Sequence, residues 1–192
     1  MTKTSKISPK SSKKTAKRSP SAEDIYCIHI PEHYMDASEF PEDAEIKNTV
    51  LSVLEYSGFK KRNLKEGELD GLCKSYGGLN QLLEMQTNTM VLYIKNRRKV
   101  KSAASIILSY DEYDEQIMVD EIKIYTLCSR EKGYGKKLLE KIKILGYVGN
   151  DNEFITDDAN IVLNYTESSR AFYEKLGFEC RDDDMCYFGV GQ

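Results

Sequence analysis

The stretch CSREKGYGKKLLE, residues 128–140, holds the residues best suited to chemistry. A β-rich run, IMVDEIKIYTLC (117–128), ends at Cys128, and an amphipathic helical pattern follows Gly135. A strand that turns straight into a helix leaves the first N–H groups of that helix without partners. The positive end of the helix dipole then points at the turn, and an anion can be held there. Gly133 and Gly135 let a ligand approach the backbone and permit unusual φ values. Arg130, Lys132, Lys136 and Lys137 add positive charge, so a diphosphate suits the environment. Arg130 to Gly135 equally describe a plain helix start, and taken alone they do not separate the two readings. The G-x-x-x-x-G-K-[ST] of a phosphate loop is absent, as is the three-glycine spacing of a dinucleotide fold.

Other reactive side chains are few. The five cysteines, Cys27, Cys73, Cys128, Cys180 and Cys186, are odd in number and include no Cys-x-x-Cys. They read as reduced intracellular thiols, mostly in strands, rather than as a disulfide framework or a zinc site. His29 and His33 are the only histidines, which excludes a histidine-rich metal site. Neither is placed to activate Cys128 as an acyl carrier, so Cys128 reads as a buried strand cysteine. No metal is expected.

The elements that must position this turn follow from periodicity. Strands are predicted at 24–30, 89–96, 102–110, 117–128 and 159–165, with two more in FECR and MCYFGV around the acidic turn Asp182–Asp184. RRKVK connects a hairpin, and DEYDEQ (111–116) reads as an acidic turn. Helices are predicted at 41–58, ended by Gly58, at 77–85, after Gly135 with Leu138, Leu139, Ile142 and Leu145 on one face and Gly146 at its end, and at 168–178. Hairpins followed by a strand–helix–strand unit argue for an α/β mixed sheet with helices on both faces.

Charge divides the chain of 192 residues in two. Residues 1–22 contain seven basic side chains and almost no apolar content, and read as a flexible Ser/Lys-rich tail. The remaining 21 basic residues face 31 acidic ones, so residues 23–192 form a single domain of charge about −10. Such a domain attracts cations and repels nucleic acid, whereas the tail suits a nuclear address, an anion-binding arm or a modification target. No apolar run spans a membrane and no apolar segment follows the start, so an intracellular protein, cytoplasmic or nuclear, is expected.

A second segment gives the glycine turn a context. R/Q-x-x-G-x-G/A after a strand and before an amphipathic helix, followed about forty residues later by SRAFYEKLGFE (169–179), resembles the GNAT acyltransferases. The resemblance covers roughly residues 23–192 and is most specific over 117–179. It implies a GNAT-type acyl-CoA N-acyltransferase fold, a mostly antiparallel central sheet with a splayed strand pair. It also implies acetyl-CoA as donor. Backbone groups of Leu127 and Cys128 would then bind pantetheine and the thioester oxygen. Residues Arg130, Glu131, Lys132, Gly133, Tyr134, Gly135 and Lys136 would hold the pyrophosphate, with Thr166 and Ser169 also beside the cofactor.

Tyr173 takes the place of the family's helix tyrosine, which protonates the leaving thiolate. Glu121, leading the run E-I-K-I-Y-T-L, takes that of the general base in the histone-acetylating branch, with Tyr165 and Asp120 in reserve. The chain departs from the family pattern in its short link from Cys128 to Arg130, which lacks V-x-P. It departs again at Thr166, where asparagine is common, and at Ser169, where alanine is usual.

The expected activity is N-acetyl transfer to a primary amine, the acceptor being cationic: a protein lysine or a polyamine. Two alternatives stand beside it. One is a non-catalytic CoA- or protein-binding module anchored to nucleic acid or chromatin by the tail. The other is an acetyltransferase of a small molecule such as an aminoglycoside.

Overall fold

The computed structural model describes residues 23–30, 48, 51–52, 54–74, 77–78, 82, 89–113, 116–145 and 155–189, the side chains of 110–113, 116–120 and 155–159 excepted. The expected tail at 1–22, most of the helix expected at 41–58 and 77–85, and the helix stop at Gly146 lie outside them. The strands are β1 (Asp24–His29), β2 (Lys60–Lys61), β3 (Met90–Asn96), β4 (Lys99–Tyr113), β5 (Gln116–Ser129), β6 (Ile155–Asn164), β7 (Glu179–Cys180) and β8 (Met185–Gly189). The helices are α1 (Tyr134–Leu145) and α2 (Glu167–Glu174).

The strands form one mixed sheet in the order β2-β1-β3-β4-β5-β6-β8-β7. β1 with β2 and β5 with β6 are parallel; every other neighbouring pair is antiparallel. The expected α/β architecture is thus the observed one.

Alternation along the strands builds two cores. On one face Ile28, Leu92, Ile94, Ile122, Ile124 and Leu163 pack against Leu138, Leu139, Ile142 and Leu145 of α1 and against Tyr173 of α2. Each such side chain removed from water contributes about 1.5–3 kcal/mol. On the other face Cys27, Val91, Tyr93 and Val100 pack against Leu69, Leu72 and Leu82. Helical residues 54–56 end as expected at Gly58, whose φ of +84° suits glycine. The bonds Gly58 N–H to Glu55 carbonyl and Phe59 N–H to Leu54 carbonyl, both 2.9 Å, close that end in a Schellman motif.

Two expectations are corrected, and one strand is added where none was assigned. The hairpin joining β3 and β4 turns on Arg97 and Arg98 alone, because Asn96 already pairs with Lys99. Lys99, Val100 and Lys101 therefore belong to β4 rather than to a polar connection. Pairing likewise carries β4 to Tyr113 and β5 back to Gln116, which narrows the acidic turn expected at 111–116. Charged residues extend a ladder readily where its ends need not be buried. Finally, β2 pairs with β1 through two residues in a segment with no strand-like alternation.

Candidate active site

The site is organised by β5 and its two changes of register. Asp120 is an extra residue between Val119, opposite Tyr110, and Glu121, opposite Ser109. Tyr125 is extra between Ile124, opposite Ile106, and Thr126, opposite Ser105. An inserted residue exchanges the faces of everything after it. Ile122 and Ile124 point at α1, yet beyond the bulge it is Leu127 that joins this core and Cys128 that joins the opposite one.

The second bulge coincides with the end of a ladder. β5 and β6 run parallel from Glu121 opposite Asn160 to Ile124 opposite Leu163, and there the pairing stops. Among the described strands Tyr125 to Ser129 continue beside β4 and no longer beside β6, so a gap opens between β5 and β6 with Tyr125 at its apex. Arg130 N–H donates to the Lys101 carbonyl at 2.9 Å, and the Cys128 carbonyl accepts from Ser102 Oγ at 2.8 Å. Antiparallel alternation then turns the backbone of Cys128 toward β4 and that of Leu127 and Ser129 toward the gap. Of the two expected backbone contacts, Leu127 is therefore the open one. Ser129 and the bulged Tyr125 were not legible in the sequence, since both follow from register.

Past Ser129 the chain turns into α1. Gly133 adopts φ +91° with open space around a Cβ built on it. Gly135 lies against Ser129, whose Cβ would stand 3.5 Å from an added methyl. Tyr134 N–H bonds to the Glu131 carbonyl at 3.3 Å and Lys137 N–H to that of Gly133 at 3.0 Å. The Gly135 and Lys136 N–H groups have no backbone acceptor among the described residues. The turn is braced from both sides. Arg130 donates to the Asp70 carbonyl at 2.5 Å, Glu131 pairs with Lys101, and Lys137 binds Asp24 at 2.6 Å. Burial pushes the Asp24 carboxyl up, but bonds from Asn96, Lys137 and Tyr134 outweigh it and hold the group below the usual range. Lys132 and Lys136 are exposed and have no ion-pair partner among the described residues.

α2 enters from the other side of the gap. Thr166 caps it: its N–H donates to Ser169 Oγ at 2.9 Å, and Ser169 Oγ donates to the Thr166 carbonyl at 2.9 Å. The hydroxyls of these two candidate cofactor contacts are thus engaged with the helix end. Tyr173 is 9% exposed, edge-on to Phe172 at 5.1 Å and to Phe178 at 6.0 Å between ring centroids. Burial pushes its phenol above the ordinary value, and its hydroxyl bonds to none of the described residues. Tyr165 is committed elsewhere, its hydroxyl donating to the Arg181 carbonyl at 2.8 Å.

Glu121 points away from this core, because its neighbour Ile122 points into it. It lines a cavity of about 400 Å³ with Asn160, Val162, Glu179, Arg181 and Tyr187. Arg181 is paired with Glu179 at 3.4 Å, so Glu121 leaves the cavity net negative. Burial and the Asp183 carboxylate push the Tyr187 phenol up. Glu121 and Tyr173 therefore approach from opposite faces of the sheet. The backbone of Asp120 stands at the bulge beside Glu121.

The cysteines overturn their expectation. Cys73 is disulfide-bonded to Cys128, with Cα atoms 5.0 Å apart, and Cys180 to Cys186; only Cys27 is free, and it is buried. The odd count reflects one core thiol. The Cys73 partnership spans 55 residues and exists only because the 66–74 segment packs beside β5.

No helix among the described residues is long and apolar enough to cross a membrane. No protein-family model matches the chain. No curated protein matches it in sequence. Among solved structures it is similar to a mutant of the AtaT toxin bound to the C-terminus of the antitoxin AtaR and acetyl-CoA. That likeness has 12% identity over 62% of this chain and 81% of the other, at a TM-score of 0.44. It is similar to the Bacillus subtilis N-acetyltransferase YlbP in complex with coenzyme A, with 18% identity over 64% and 87% of the two chains and a TM-score of 0.38. A candidate acetyltransferase of the GNAT family from Desulfovibrio desulfuricans aligns with 11% identity over 88% of this chain and 99% of the other, at a TM-score of 0.45.

Proposed function

We propose that this chain is an acetyl-CoA-dependent N-acetyltransferase acting on a primary amine. The observation that carries the reading is the parting of β5 from β6 after Ile124. Backbone groups of Leu127 and Ser129 line a gap that leads directly into the Gly133 turn and the free N–H groups of Gly135 and Lys136. Pantetheine fits the gap, and a diphosphate fits the turn, with Arg130 to Lys136 around it.

The chemistry follows from the two faces. The amine nitrogen attacks the thioester carbonyl carbon, the C–S bond breaks, and the thiolate takes the proton of Tyr173. Burial favours the neutral phenol, the form that can donate. Glu121 lies four residues before the gap, about 13 Å of strand, so the ammonium proton reaches its carboxylate through water. Thr166 and Ser169 set the start of α2 and thereby Tyr173, and Cys128 ties the strand to Cys73.

The acceptor is cationic, a protein lysine or a polyamine, because Glu121 and Glu179 line the cavity beyond the gap. The basic tail adds contact with nucleic acid or chromatin, and residues 23–192 act as one catalytic domain. An acetyl-CoA donor argues for a reaction inside the cell, cytoplasmic or nuclear, where both disulfides face a reducing poise.

Thiol release from acetyl-CoA over a panel of lysine peptides, spermidine, aminoglycosides and free amino acids tests this. Release with lysine peptides or spermidine, abolished in Tyr173→Phe, supports it. Binding without release for any amine assigns the chain to a non-catalytic CoA module. Release with aminoglycosides alone replaces the acceptor class.

A further inference from the structure

The end of β5 that borders the gap is gripped by the segment 66–74 at two points. Cys73 is disulfide-bonded to Cys128. Just beyond it, the Arg130 guanidinium donates to the Asp70 carbonyl at 2.5 Å. These two ties bracket Ser129 and adjoin Leu127, so they hold the backbone that lines the gap and leads into the glycine turn. The segment is fixed to the sheet by other means as well. Leu69 and Leu72 are buried in one cluster with Tyr93 and Val100, and the Glu68 carboxylate accepts from Arg62 at 3.0 Å and from Lys95 at 2.5 Å. Breaking the sulfur bond therefore leaves the segment docked and frees the strand end.

The bond is also placed where a small thiol can reach it. Cys73 and Cys128 are both half-buried, whereas the free thiol of Cys27 is sealed in the core. Lys74 follows Cys73 and is exposed, and so is Arg130, near Cys128 in the chain. Nearby cations favour the thiolate, the form in which a cysteine leaves when its disulfide is attacked. Past Tyr125, β5 has lost β6 as a neighbour, and among the described elements its position rests on the ladder to β4 and on this grip. A covalent tie at the point where one ladder has ended bears directly on the width of the gap.

We infer that Cys73–Cys128 is a redox switch on donor binding: the oxidised chain holds the strand end in the binding geometry, and reduction by a glutathione-class thiol releases it. The inference rests on the donor reading above. A glutathione thiolate attacks one sulfur, the S–S bond breaks, and the other cysteine leaves as a thiolate and takes a proton from water. A second glutathione thiolate attacks the mixed disulfide, which yields two cysteine thiols and one glutathione disulfide. Glutathione disulfide drives the same steps in reverse. The coupling is reciprocal: the factor by which the bond raises donor affinity is the factor by which bound donor protects the bond from reduction.

The test equilibrates full-length protein in glutathione buffers of rising reducing ratio, glutathione squared over glutathione disulfide, and reads alkylation of Cys73 and Cys128 by peptide mass spectrometry. Acetyl-CoA affinity is measured by calorimetry at both ends of the series; acetyl-CoA brings no free thiol of its own. Affinity is expected to fall by about tenfold on reduction, and saturating acetyl-CoA to raise the ratio at half-reduction of Cys73–Cys128 by the same factor. Cys73→Ser is expected to bind like reduced wild type in every buffer. The wild-type titration stands without that variant, should it fail to fold. Equal affinity at both ends overturns the inference and leaves the donor reading standing. So does a bond that never forms or never reduces, or a reduced chain that has unfolded by circular dichroism, which makes the bond a staple of the fold. A redox response that persists in Cys73→Ser belongs to Cys180–Cys186 and also overturns the inference. No acetyl-CoA binding in any buffer overturns both readings.

Discussion

Two cavities among the described residues lie toward opposite ends of β5 and have opposite electrical characters. Beside the glycine turn, Arg97, Arg98 and Lys99 line one groove and form no ion pair with a described residue. Toward the other end, Glu121 and Glu179 leave the second cavity net negative. Eight residues of strand, roughly 26 Å, separate Glu121 from Ser129. Net charge reports neither feature. Residues 23–192, of charge about −10, carry a concentrated cationic groove, because charge acts locally where a Debye length is about 8–10 Å. Opposite charges can thus be held at separate places along one strand.

Five substitutions would break or sharpen this contrast. The largest effect is expected from Tyr173→Phe. Its kcat should fall by about 10³ while acetyl-CoA affinity, measured by calorimetry, stays the same. A parallel fall in affinity would make Tyr173 a packing residue. The phenol is pushed up by burial, so it remains protonated to higher pH than a free tyrosine. The alkaline limb of the wild-type kcat profile should therefore lie above pH ~10; a limb well below that points to another acid.

Cys73→Ser releases the donor end of β5. A loop of 55 residues is opened, and urea denaturation without reductant should show a loss of about 3 kcal/mol. The Michaelis constant for donor should rise more than that for amine. An unchanged midpoint would mean that packing of Leu69 and Leu72 holds the segment without the bond.

Glu121→Gln probes the acceptor end and should lower kcat by about 10² with donor binding intact. Recovery of rate at high pH, where more of the amine is already neutral, would identify the lost function as proton removal. A pH-independent loss would leave Glu121 with acceptor binding only.

The smallest effect separates the two glycines. Gly133→Ala forces a side chain to φ +91° and should cost about 1 kcal/mol. Gly135→Ala meets only ordinary contact with Ser129 and should leave stability unchanged. If both weaken donor binding, the turn holds the diphosphate through close backbone approach at either position.

Much of the architecture was legible because its signals are local. The spacing of Leu138, Leu139, Ile142 and Leu145 marks a helix and its buried face, and all four are buried. Alternation located the main strands, and Gly58 marked a helix end by its required φ. The glycine turn between β5 and α1 was readable for the same reason: strand, turn and helix start are contiguous in the chain.

What the tertiary structure alone decided depends on register, which no local pattern carries. The bulges at Asp120 and Tyr125 are defined by partners on β4, and the opening of the gap by where β6 stops pairing. Whether Leu127 or Cys128 presents its backbone to the gap turns on one inserted residue. Cys73 reaches Cys128 across 55 positions, and Arg97 to Lys99 join Glu131 and Tyr134 through strand pairing and helix packing. The sequence by itself determined which elements form and where a diphosphate could lie. Which side chains and backbone groups meet around that place was decided by long-range pairing, because a shift of one residue in a strand exchanges the two faces of the sheet.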